Sequence, residues 1–109
     1  MINWDDFEKI DIRCGTIIDV KDFPNAKKPA YQLTIDFGQH GIKRSSAQIT
    51  HFYSKEDLKD KQVVAIINFP LKQIANFFSE CLVLGVYDEA KNVVLLQPER
   101  KVINGLKIG

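Results

Sequence analysis

Residues 31–38 read YQLTIDFG, in which Tyr31, Leu33, Ile35 and Phe37 alternate strictly with Gln32, Thr34 and Asp36 before Gly38 ends the run. Successive side chains of a β-strand point to opposite faces, so this stretch buries one face and leaves the other wet. Upstream, FPNAKKP (23–29) reads as a loop, and before it Ile12–Val20 repeats the pattern. Ile12, Cys14, Ile18 and Val20 fall on one side with Thr16 between them, and Asp11, Arg13 and Asp19 take the other. Downstream, the turn QHG (39–41) leads to Ile42–Ile49 (IKRSSAQI), a strand of small polar residues with little apolar surface on either side.

The second half of the chain changes character. Gln62–Phe69 (QVVAIINF), Cys81–Tyr87 (CLVLGVY) and Val93–Leu96 (VVLL) are apolar on both faces. A small barrel has one interior, so the outward faces of these strands need cover from helices, terminal segments or a second subunit. DEAKN (88–92) is the turn between the last two strands, and Asn104-Gly105 is a tight-turn signal near the end.

Two short helices complete the reading. Asn3 can cap a helix running to Ile10, with Asp5 and Asp6 at the positive end of its dipole and Trp4 and Phe7 on one face. Ser54 and Asp57 form a capping box that starts SKEDLKD (54–60). Several short strands with a helix between the third and fourth predict an all-β, five-stranded OB-type barrel with short helices and terminal extensions, a single domain over residues 1–109. The pattern alone leaves a sandwich open.

Composition agrees with one compact domain, since 109 residues at 45% hydrophobic and 27% charged leave no room for a second core. The formal net charge of +1 predicts no strong long-range field. Lys27-Lys28, Lys43-Arg44, Lys55 with Lys59 and Lys61, and Arg100-Lys101 form short basic groups rather than one run. Cys14 and Cys81 lack CxxC spacing and read as small buried hydrophobes in a reducing compartment. The opening MINWDDFEKI carries acids where a signal peptide needs positive charge, and no segment reaches membrane-spanning length, so a cytoplasmic location is expected.

The residue types that carry catalysis are present without their partners. His40 and His51 fall in loops with no cysteine or acidic ligand at metal spacing, which predicts no metal site. Ser45-Ser46 has no adjacent base motif, and Asp5-Asp6 and Glu56-Asp57 are helix-start residues before they are an acid–base pair. The expectation is a non-enzymatic protein without a cofactor. In Ile67–Glu80 (INFPLKQIANFFSE), Ile67 and Phe69 are expected in the core or an interface. Alternation sends one of Phe77 and Phe78 inward and the other outward without settling which.

FEKIDIRCGTI, FPNAKKPAYQLTIDFG, GIKRSSAQIT, QVVAIINFP and QIANFFSECLVLG, in that order over nearly the whole chain, resemble the CsaA family of export-related chaperones, built on the tRNA-binding OB domain. The resemblance implies a homodimer that binds unfolded preproteins and peptides and cooperates with the export ATPase SecA. Landmarks of the wider tRNA-binding family match Arg13 and Gly15, Pro24 and Ala26, Asp36 and Gly38, Ser79 and Glu80, and approximately Asn68 and Pro70. The chain departs from that family where Phe23-Pro24 replaces His-Pro, Ser45-Ser46-Ala47-Gln48 replaces Ser-Gly-Leu, and Cys81-Leu82 replaces Gly-Met. These changes make the site more apolar, which suits extended polypeptide better than phosphate and leaves tRNA binding as the alternative function.

The predicted peptide or RNA site is a groove at Ser46, Gln48, Asn68, Phe78 and Glu80, with Ser79, Lys28 and Arg44 beside it. Phe78 would be its apolar anchor, and Glu80 would select for basic clients against acidic ones. The dimer seam is expected at Trp4, Phe7, Leu95 and Leu96 within the reach of the C-terminal segment Val93–Ile108.

Overall fold

A computed structural model describes residues 1–109. Asn3 caps helix α1 (Trp4–Glu8): its side chain accepts from the Asp6 N–H while the Asp6 carboxylate accepts from the Asn3 N–H. Ser54 and Asp57 close the same reciprocal box at α2 (Lys55–Leu58), whose Leu58 is fully buried. Each box satisfies donors that a helix start leaves open.

The strands are β1 (Ile12–Asp22), β2 (Tyr31–Asp36), β3 (Ile42–Ala47), β4 (Gln62–Ile66), β5 (Lys72–Ile74), β6 (Phe77–Ser79), β7 (Leu82–Val83), β8 (Gly85–Tyr87) and β9 (Val93–Leu95). The main sheet is antiparallel throughout in the order β3-β2-β1-β4-β7, with β5–β6 and β8–β9 as separate hairpins. The residues just before β7 return to β3, where the Glu80 N–H donates to the Arg44 carbonyl at 2.7 Å. That contact nearly closes the sheet into the OB-type barrel expected from the pattern. Ile17, Leu33, Ile35, Phe37, Val63 and Ala65 fill its interior.

The face assignment of β1 differs from the expected one. Gly15, not Cys14, points inward: a Cβ built at Gly15 would lie 2.7 Å from the Phe37 ring, so only glycine lets β1 approach there. Ile17 follows it inward, and a register shift between Ile17 and Asp19 then leaves Ile18 37% exposed. A bulge of this kind inserts one residue and reverses parity beyond it, which is why Val20 still packs against the core. Cys14 is buried outside the barrel, on the face it shares with its partner Val64.

The two-sided burial of β4 is as expected, with Val63, Val64 and Ala65 all buried. The C-terminal segment supplies part of the outer cover. Gln62 exchanges two bonds with the Val102 backbone at 2.7 and 2.9 Å, and the Thr16 hydroxyl donates to the Asn104 side chain at 2.6 Å. Beyond the end of β2 the same segment pairs with β1, through Cys14 N–H to Leu106 carbonyl and Ile108 N–H to Ile12 carbonyl.

Strand boundaries also shift: β1 runs on to Asp22, and the runs predicted to reach Ile49 and Leu96 stop at Ala47 and Leu95. The run predicted to reach Phe69 stops at Ile66, and the run predicted over Cys81–Tyr87 divides into β7 and β8. The division falls at Leu84, whose N–H donates to Val64 while its carbonyl accepts from Leu96, so the chain passes there from the barrel to the β8–β9 hairpin.

Candidate functional site

β4 ends at Ile66, and over the next residues, where Pro70 has no N–H to give a ladder, the chain leaves the barrel. It turns back on itself as the β5–β6 hairpin, which the sequence reading did not foresee, in the register Lys72↔Ser79, Gln73↔Phe78, Ile74↔Phe77. Ala75 takes a left-handed conformation at the turn, and the Gln73 side chain donates to its carbonyl at 3.0 Å. Phe77 is 2% exposed and packs with Ala30 and with Phe23, ring centroids 5.4 Å apart. The Arg44 guanidinium lies 4.2 Å from the Phe77 ring centroid, a cation–π contact. Phe78 points away and is 49% exposed.

Between the outer face of β3 and this hairpin runs a trough. One part, about 370 Å³, is walled by Ser46 on β3 and Gln48 just beyond it and by Phe69, Pro70, Ile74 and Leu82 opposite, with Lys72, Ser79 and Cys81 completing it. The adjoining part, about 480 Å³, shares Ser46, Gln48, Lys72 and Ile74 and is bounded by Asn25, Lys27 and Lys28 of the loop before β2. The trough therefore has an apolar end and a cationic end, and no carboxylate lines it. A second hollow, between α2 and residues 97–101, is lined by charges of both signs and by no hydrophobic residue.

Of the expected site residues, Ser46, Gln48, Ser79 and Lys28 come together in the trough. Asn68, Phe78, Glu80 and Arg44 do not line it. Asn68 bonds instead to the backbone of Lys9 and Asp11, and the Glu80 carboxylate accepts from the Arg44 N–H at 2.9 Å. The aromatic in the trough is Phe69, which is 53% exposed rather than core. The sequence signal that could have found it is Pro70, because a residue just before a proline is poorly suited to a central ladder, and β4 in fact ends at Ile66 and leaves Phe69 off the barrel wall. Lys72 and Ile74 were missed because the hairpin that carries them was missed, and Leu82, on β7, because its exposed side of the sheet was not assigned to the trough.

The remaining polar groups serve the fold. The buried Ser45 hydroxyl donates to the Cys81 carbonyl at 3.0 Å. Burial pushes the Cys81 thiol up to about 12, and burial also raises that of Cys14. Both thiols therefore stay protonated at neutral pH. His40 ends a 3-10 turn, and His51 stacks edge-on against Phe52 with centroids 4.8 Å apart. No helix is long and apolar enough to cross a membrane.

The four expected seam residues divide. Trp4 is 83% exposed and Phe7 half-buried, whereas Leu95 belongs to the barrel core and its neighbour Leu96 is exposed. Leu96, Val94, Val86 and Tyr87 put a cluster of exposed apolar side chains on and beside the β8–β9 hairpin.

A family model described as a putative tRNA-binding domain matches residues 12–107. The chain is 36% identical over 107 residues to a methionine–tRNA ligase of Thermococcus onnurineus, a match covering 98% of this chain but only 14% of the ligase. Among solved structures, chaperone CsaA of Bacillus anthracis superimposes with a TM-score of 0.95 at 51% identity, over 100% of this chain and 99% of that one. The CsaA chaperone of Picrophilus torridus gives 0.94 at 53% identity, with both chains covered in full.

Proposed function

From the premise that the chain belongs to the tRNA-binding domain family and is of the CsaA type, we propose that it is a molecular chaperone whose single domain holds unfolded preproteins and peptides in extended form to assist their export. The observation that carries this reading is the apolar end of the trough, where Phe69, Pro70, Ile74 and Leu82 face the Ser46 and Gln48 side chains across an open cleft. Apolar anchors beside a few polar groups suit a polypeptide, whose side chains need a dry pocket and whose backbone needs partners.

The chaperone works as a cytoplasmic homodimer, with the exposed side chains of the β8–β9 hairpin and Trp4 covered by the second copy, and it passes clients to the export ATPase SecA. It acts by binding rather than by catalysis, a reading supported by its likeness to CsaA chaperones and to a tRNA-binding domain.

One observation favours a second reading, tRNA binding. Lys27, Lys28 and Lys72 converge at the cationic end, and an exposed aromatic with lysines nearby is a single-strand platform. Competition separates the two. The protein saturated with an unfolded preprotein is titrated with tRNA at increasing salt. The chaperone reading predicts preprotein binding that survives high salt, and weak tRNA binding with a shallow salt slope. Tight tRNA binding that falls steeply with salt, together with no retention of preprotein, would reverse the assignment.

A further inference from the structure

The trough is walled on one side by the open edge of β3, and the hydrogen bonding of that edge stops short of Gln48. Arg44 turns both backbone groups away from β2, its carbonyl accepting from the Glu80 N–H and its N–H donating to the Glu80 carboxylate. Residues two apart in a strand share an edge, so Ser46 and Gln48 turn the same way. The Ser46 N–H meets the Ser79 hydroxyl at a long 3.3 Å, and its carbonyl receives only a 3.4 Å contact from Ser45 Oγ. The Gln48 N–H and carbonyl make no hydrogen bond within the chain. Ser45, Ala47 and Ile49 are buried while Gln48 is exposed, so the alternation of an extended chain continues past the end of β3. Open strand-edge groups beside an apolar wall are a template for another extended backbone.

Charge narrows the choice of occupant. Lys27, Lys28 and Lys72 make no salt bridge with the protein's own carboxylates, and no carboxylate shares their lining. This is opposite to the preference expected from Glu80, whose side chain is held on Arg44.

Resting on the polypeptide-binding reading above, we infer that the client is an extended segment that adds as a strand to the β3 edge at Ser46–Gln48. It seats an apolar side chain against Phe69, Ile74 and Leu82, and an acidic side chain at Lys27, Lys28 and Lys72. Backbone pairing is indifferent to sequence and gives the site its breadth. The lysines supply the bias among clients.

The test is a fluorescence-anisotropy titration of the full chain with a short peptide of alternating leucine and glutamate. Its lysine-for-glutamate twin and a series with single N-methylated backbone amides are titrated alongside it. Strand addition predicts that N-methylation at alternate positions weakens binding about tenfold while the positions between are silent. Lys72→Glu abolishes the preference for the glutamate peptide over its twin. Gln48→Pro removes an N–H that bonds nothing internally, and once its melting temperature matches that of Gln48→Ala it binds about tenfold more weakly than that variant. Peptide binding with no alternating N-methyl pattern overturns strand addition and leaves the chaperone reading standing. Failure of the wild type to bind either peptide overturns the chaperone reading itself. Displacement of the peptide by a short single-stranded RNA whose affinity is lost in Lys72→Glu gives the trough to phosphate and overturns the polypeptide occupant.

Discussion

The Asn68 side chain clamps the Lys9–Asp11 segment to the end of β4, its Nδ2 donating to the Lys9 carbonyl at 2.8 Å and its Oδ1 accepting from the Asp11 N–H at 3.0 Å. Two bonds across 57 and 59 residues of chain make it a structural clasp between α1 and the barrel. Asn68→Ala should lower unfolding stability by about 1 to 2 kcal/mol, discounted because the site is partly open to water. Amide exchange in residues 4–11 should quicken while peptide affinity stays unchanged. A loss of peptide affinity at full stability would return Asn68 to the binding site.

The three phenylalanines of the region should separate cleanly. Phe77→Ala should cost about 3 to 5 kcal/mol, because it empties the pocket shared with Phe23 and Ala30. Phe78→Ala should change stability by less than about 1 kcal/mol. Phe69→Ala should leave the urea midpoint nearly in place and reduce peptide affinity by about 1 to 3 kcal/mol. Equal peptide affinity in wild type and Phe69→Ala would remove the apolar end of the trough as the anchor.

Both cysteines should resist alkylation in the native state and react only on unfolding. Burial raises the Cys81 thiol from an ordinary value of 9.0 to about 12, so the native state keeps a proton that the unfolded chain has lost. The unfolded state then binds fewer protons, and stability falls as pH rises. The contribution of Cys81 is intact below about pH 9 and is lost progressively as pH climbs to about 12. Cys81→Ala should flatten the decline of the unfolding midpoint over that window. Rapid labelling of Cys81 by iodoacetamide at pH 8 without unfolding would contradict its burial.

Adjacent residues on β9 and just beyond it should fail differently. Leu95→Ala should destabilise the fold by about 2 to 5 kcal/mol, since the side chain sits in the barrel core. Val94→Asp and Leu96→Asp place a charge on the exposed apolar face and should yield a folded monomer. Sedimentation velocity at low micromolar concentration decides it. An unchanged sedimentation coefficient in both variants would place the dimer seam elsewhere or deny it.

The features that could be read from the chain alone are those set by neighbours in sequence. The two capping boxes at Asn3–Asp6 and Ser54–Asp57, the amphipathic run Tyr31–Phe37, the turn at residues 88–92 and the two-sided burial of β4 each follow from side chains within a few residues of one another. Their sum predicted a small all-β fold and favoured the five-stranded barrel without excluding a sandwich. What needed the tertiary structure was every choice between two faces or two partners. Gly15 faces inward because Phe37 and Ile35, some twenty residues on, occupy the space a side chain would need, and the bulge after Ile17 then changes the parity of the rest of β1. Phe77 rather than Phe78 is buried because Phe23 and Ala30 wait on that side of the hairpin. Asn68 faces α1 rather than the trough because the Lys9 and Asp11 backbone lies within its reach. A period of two tells which residues share a face, and only the distant chain that covers a face decides which one is inside.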